Sequence, residues 1–211
     1  AFSNTKEGAV QDEHNWQNGV CDYCNTPVPN YMTAAEDGVY EIGTPDQLVW
    51  FAAMVNSGAK KDIQGRLVAA LNMEGIDWPS IGNGGSTFTG IFDGQGFAIE
   101  NLSGPLFGSA QDAKFRNIAI ESATINGRNS DLGAQTGSIV CVAFNSEHTG
   151  SYSKATLVLG DEGDLGGLAG KFTGTIKDCA FLGSVSSAGW SEGGIAGSGE
   201  ANAITIEDCI V

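Results

Sequence analysis

Apolar and polar positions recur along this chain in two interleaved ladders. Ile99-Glu100-Asn101-Leu102, Phe115-Arg116-Asn117-Ile118, Ile176-Lys177-Asp178-Cys179 and Ile206-Glu207-Asp208-Cys209 share one order: apolar, polar, Asn or Asp, apolar. Between them lie Gly104-Pro105-Leu106-Phe107-Gly108, Gly137-Ser138-Ile139-Val140-Cys141, Gly166-Gly167-Leu168-Ala169-Gly170 and Gly193-Gly194-Ile195-Ala196-Gly197, starting 33, 29 and 27 residues apart. Repeats of about 20–50 residues mark solenoids and propellers, whose units bury their apolar faces only on their neighbours. The strands implied between Arg66 and Ile99 are short and broken by Gly and Pro, which predicts an all-β chain. A long period without hairpin alternation favours stacked parallel coils over an antiparallel sandwich.

One segment departs from the β pattern. Thr44 has the chemistry of an N-cap, Pro45 suits the first helical position, Asp46 complements the dipole and Gln47 stands three residues after the cap. The run Leu48–Val55 that follows is apolar nearly all round, which predicts a helix over 45–57 buried on most sides and ended by Gly58. Ahead of a β-solenoid such a helix would close the first coil. Residues 1–37 are polar and aperiodic and read as a loosely structured segment with one knot at Cys21 and Cys24; residues 38–211 read as the β domain.

Composition narrows the classes of partner. Apolar residues make up 41% of the 211, enough for a real core. The 31 glycines lack a Gly-x-y period, which excludes collagen, and are expected at corners needing positive φ. A net charge of −15, with only 10 Lys and Arg, argues against nucleic acid and against anionic membranes. No apolar stretch is long enough for a membrane span, and no secretory signal pattern is visible. The chain opens abruptly at Ala1-Phe2-Ser3-Asn4, as a mature or a trimmed chain would. Five cysteines, an odd number, argue against a disulfide framework.

The linked run Phe88-Thr89-Gly90-Ile91-Phe92-Asp93-Gly94-Gln95-Gly96, continued by Ile99-Glu100-Asn101-Leu102 and by the later Gly-Gly-Leu-Ala-Gly and Gly-Gly-Ile-Ala-Gly motifs, resembles the Gly-Leu-x-Gly (GLUG) repeat family. The resemblance spans roughly residues 38–211. It implies a right-handed parallel β-helix belonging to an extracellular, adhesin-like protein on the bacterial cell surface. Residues 141–165 lack the apolar-polar-Asn/Asp segment, which predicts an irregular coil or a looped insertion there.

Each candidate for chemistry has a plainer reading beside it. Asn101, Asn117, Asp178 and Asp208 would stack at one bend of successive coils. Asp178 and Asp208 could share a proton or a cation, but Asn and Asp also favour left-handed turns, and two of the four are amides. Asp93 precedes Gly94, itself a turn signal. His148 lies in a polar stretch and is expected in a solvated loop, away from the repeat cysteines. Asp161, Glu162 and Asp164 could offer oxygen ligands to calcium, although the calcium-loop consensus is missing. His14, Cys21 and Cys24 have the spacing of a zinc knuckle. Related surface proteins carry a similar element with a further Cys, whose place Gln11 takes here; a disulfide is the alternative. Cys141, Cys179 and Cys209 read as small core residues, with Cys179 and Cys209 stacked and unbonded. Trp190 is the one aromatic expected to be exposed for stacking on a sugar.

The expected fold is therefore an all-β, right-handed parallel β-helix with an N-terminal capping helix. The expected function is non-catalytic, with no catalytic residues and no cofactor apart from the zinc candidate. It would be a surface module for adhesion or spacing, binding host glycan or extracellular protein, with further domains of a larger protein beyond Val211. The alternative is a β-helix polysaccharide lyase or hydrolase, which would show a groove lined by several acids with basic or aromatic neighbours.

Overall fold

The computed structural model describes residues 16–17, 19–21, 24–83, 85–126, 135–159, 163–187, 191–200 and 203–211. It shows a right-handed parallel β-helix. All strand pairs among the described residues are parallel except the N-terminal hairpin of Trp16–Gln17 and Val20–Cys21. No helix of the described residues is long and apolar enough to cross a membrane.

One inward ladder carries the register from end to end. Tyr40 lies beside Gly65, Gly65 beside Phe92, and the line continues through Phe115, His148, Ile176 and Ile206. A neighbouring inward line joins Phe107, Val140, Ala169 and Ala196. Phenylalanines fill the first half of the interior. Phe107 sits 4.7 Å from Phe115 and 5.4 Å from Phe92 between ring centres, and Phe88 is 5.1 Å from Phe107. Such pairs add to the burial of large apolar surfaces.

The helix Pro45–Asn56 closes the N-terminal end of this stack. Thr44 Oγ1 accepts from the Gln47 amide while the Gln47 side chain accepts from the amides of Gly43 and Thr44, a complete capping box. Ser57 is the C-cap, one residue short of the expected end. Phe51 is fully buried and drops into the gap that Gly65 leaves in the inward ladder; a Cβ on Gly65 would stand 2.7 Å from its ring. From the other side, the described part of residues 1–37 covers the helix: Trp50 Nε1 donates to the Val28 carbonyl at 2.9 Å, and Val20 and Met32 are buried. That part is thus docked on the helix where a loose segment was expected.

The described part of residues 141–165 forms one coil, irregular as expected at a bulge and without the apolar-polar-Asn/Asp letters. The strand Val140–Thr149 pairs on both sides, with only a bulge between Ala143 and Ser146, where Asn145 has a φ of 48°. The repeat segment is present in other letters. His148 takes the apolar position, Gly150 the Asn/Asp position and Ser151 the Cys position. Gly150 has a φ of 64°, beside 58° at Asn101, 50° at Asn117, 54° at Asp178 and 51° at Asp208. Ser151 Oγ donates to the Thr149 carbonyl as Cys179 Sγ and Cys209 Sγ do to Lys177 and Glu207, each to the carbonyl two residues back.

The glycines of the second ladder serve a different purpose from the expected one. Left-handed corners fall at Asn101, Asn117, Gly150, Asp178 and Asp208, whereas Gly166, Gly167, Gly170, Gly193 and Gly194 have no positive φ. They are needed for close approach. A Cβ on Gly167 would run into the Gly194 carbonyl and the Phe181 ring, and one on Gly170 into the Thr136 amide.

Candidate functional site

The interior removes the strongest nucleophile and base candidates from chemistry. His148 is fully buried, with its ring edge-on to Phe115 at 5.7 Å, and neither ring nitrogen has a hydrogen-bond partner. This corrects the expectation of a solvated loop. It also places a histidine in the coil beside a repeat cysteine, since Cys179 Sγ lies 3.7 Å from the His148 carbonyl. Burial pushes the imidazole down to about 3, so it stays neutral at physiological pH. Burial likewise pushes the Cys141 thiol up to about 12 and the Cys179 thiol up to about 11, which keeps the thiolates out of reach. Cys141, Cys179 and Cys209 are free thiols; Cys209 is only half-buried, less enclosed than expected.

Asn117, Asp178 and Asp208 stack at one corner, with Gly150 between the first two, whereas Asn101 stands at another corner beside Ser122, against the expectation of one shared bend. Asp93 Oδ1 accepts from the Gln95 amide at 2.9 Å and from Asn117 Nδ2 at 3.0 Å, a turn tied to the next coil. Asn101 Nδ2 donates to Asn72 Oδ1 at 2.8 Å. Asp178 and Asp208 sit on adjacent coils and are both exposed.

For the metal candidates, His14, Asp161 and Glu162 lie outside the described residues. Cys21 is buried against the helix and Cys24 is exposed, its sulfur 3.0 Å from Thr26 Oγ1. Asp164 accepts from Ser198 Oγ at 2.6 Å across adjacent coils. No group of three or more metal-ligating side chains occurs among the described residues. Trp190 also lies outside them.

The outer surface offers a different candidate, missed from the sequence. A groove of about 570 Å³ runs across three consecutive coils, with Asn101, Ser122, Thr124, Asn126, Lys154 and Thr156 on its walls. Parallel pairing of Thr124–Asn126 with Thr156–Leu159, and the bridge between Leu102 and Ala123, bring these distant positions together. The polar groups are partly pre-ordered: Ser122 Oγ accepts from the Asn101 amide at 2.9 Å. Lys154 Nζ is 2.7 Å from Glu121 Oε2 and lies over the Tyr152 ring, whose hydroxyl also bonds Glu121. The Lys154 ammonium and the Tyr152 hydroxyl hold the Glu121 carboxyl below its ordinary range, and the Glu121 carboxylate raises the phenol of Tyr152 in turn. This wall presents amides, hydroxyls and one neutralised ion pair, in place of the several acids expected of a polysaccharide enzyme.

No protein-family model matches the sequence, and comparison with curated proteins finds no match. Among solved structures, the chain is similar to one from Bacteroides ovatus described as a "putative immunoglobulin A1 protease". The TM-score is 0.55 with 18% identity, over 83% of this chain and 76% of that one. A likeness at that identity is a likeness of fold.

Proposed function

We propose that this chain is a non-catalytic module of a bacterial surface protein, which holds neutral glycan in the groove of Asn101, Ser122, Thr124, Asn126, Lys154 and Thr156. The groove carries the reading. Its walls are hydrogen-bonding groups that the parallel register brings together from three coils, with no carboxylate in its lining. Amides and hydroxyls match sugar hydroxyls, and the net charge of −15 opposes acidic polysaccharide. The resemblance to the Gly-Leu-x-Gly repeat proteins supports an extracellular setting. Peptide hydrolysis, suggested by the description of the Bacteroides ovatus structure, finds little support in side chains that burial keeps unreactive: His148, Cys141 and Cys179.

An array of neutral and acidic glycans tests the proposal, with a Thr124→Ala/Asn126→Ala double variant as comparison. Both positions are exposed, so the fold should survive. Retention of neutral glycans by the parent chain, weakened roughly tenfold or more in the variant, is expected. Retention that the variant leaves unchanged, or cleavage of any bound glycan, would overturn it.

A further inference from the structure

Among the described residues that line the groove, Lys154 alone carries a charge. A lone ammonium would ordinarily make such a groove a seat for carboxylates and sulfates. Here the ammonium is already engaged from the coil before it. The register that pairs Ile120 with Ile99 on one side and with Ser153 on the other sets Glu100, Glu121 and Lys154 on one outward line of three consecutive coils. Lys154 Nζ reaches back along that line and donates to Glu121 Oε2 at 2.7 Å. It also stands 5.6 Å from the centre of the Tyr152 ring, over its face. The Tyr152 hydroxyl donates to the other carboxylate oxygen, so both oxygens of Glu121 are held within the cluster.

Glu121 is not itself part of the lining, although it directly precedes Ser122, which is. Glu100, its neighbour on the outward line, makes no ion pair among the described residues, so the line holds two acids and one base. The net charge of −15 does not by itself decide which sugars enter. At physiological salt a charge on the surface is felt over about 8 Å, so the groove answers mainly to the charges on its walls and in contact with them.

The geometry points to Glu121 as the residue that sets the groove's choice between neutral and acidic sugars: by pairing Lys154 it leaves N–H donors for sugar hydroxyls and withholds the free cation that a uronate or a sulfate needs. This rests on the reading of the groove as a glycan site and deepens it. Glu121 is a positioning residue, acting through Lys154. The ammonium has three N–H donors, of which Glu121 takes one, so a sugar hydroxyl can accept from Lys154 while the pair stays closed. An acidic sugar would have to displace Glu121 from Lys154 and face Glu100 as well, which is discrimination by an unfavourable contact with the wrong ligand.

The probe is an array of matched pairs, each a neutral oligosaccharide and its counterpart with one hexose oxidised to the uronic acid. The parent chain is compared with Glu121→Gln and with Glu121→Gln/Lys154→Met. Both side chains are partly exposed, so the coil should survive either change, and thermal unfolding checks that it does. The parent should retain the neutral members in preference. Glu121→Gln should raise retention of the acidic members, relative to their neutral partners, by about tenfold; high salt should shrink that gain and the double variant should lose it. A ratio that Glu121→Gln leaves unchanged, a gain that survives the loss of Lys154, or equal or greater retention of the acidic members by the parent would each overturn this inference while leaving a glycan site in place. Retention of no glycan by the parent would overturn the glycan reading itself, and this inference with it.

Discussion

His148 shows how a single buried residue can set the response of the whole fold to acid. The unfolded chain protonates it near its ordinary value of 6.5, the folded chain only at about 3, because burial disfavours the charged ring. Between those values the unfolded state binds more protons, so stability falls as pH drops below 6.5, by up to about 1.4 kcal/mol per unit, and levels off below 3. Its two unpartnered nitrogens also make it costly at neutral pH, by roughly 1–3 kcal/mol. Urea unfolding of His148→Ile should therefore show a more stable protein at pH 7 and a gap from the parent that widens toward pH 4; parallel pH profiles would contradict this. The corner residues answer to backbone conformation. Asp178, at a φ of 54°, should tolerate Gly or Asn, whereas Asp178→Ala should cost about 1–2 kcal/mol in the same measurement.

At the scale of the element, the helix and the odd coil teach opposite lessons about what a sequence displays. The helix Pro45–Asn56 was legible because its signals are local: Thr44, Pro45 and Gln47 act within one turn. Removing the cap with Thr44→Ala should cost about 0.5–2 kcal/mol. Phe51→Ala should cost about 3–5 kcal/mol, since it empties the space over Gly65 that nothing else fills; thermal unfolding of the two variants would rank them. The coil of Val140–Thr149 was hidden because three of its letters changed together. His148 replaces an aliphatic residue in shape while losing hydropathy, Gly150 supplies the left-handed corner without an amide, and Ser151 makes the carbonyl bond that Cys179 makes elsewhere. A pattern written in residue types misses a coil that keeps only the geometry. The Gly-Gly ladder hid its purpose in a similar way, because clearance from a neighbouring coil depends on a contact distant in sequence.

At the scale of the molecule, position along the axis matters more than position in the sequence. Asn101, Ser122 and Lys154 meet in one groove only once the parallel register is known, so composition could argue against acidic partners but could not assemble the site. The same one-dimensional stacking makes stability a sum of coil interfaces, each shared with immediate neighbours. The two ends are unequal. The first coil is covered by Phe51 and the helix, and the helix in turn by the described part of residues 1–37; among the described residues no strand pairs with the other edge of Ile204–Glu207. A coil with one interface opens more easily than a coil with two, so a chain of these 211 residues should begin to unfold at Ile204–Glu207. Native-state hydrogen exchange should find the amides of Ile204–Glu207 exchanging fastest among the strands of the inward ladder, those of Ala169–Lys177 slower, and those of Ile91–Asp93 and Lys114–Arg116 slowest. Equal protection along the axis would mean that the coils unfold as one cooperative unit, and that the interfaces between them are stronger than the coils themselves.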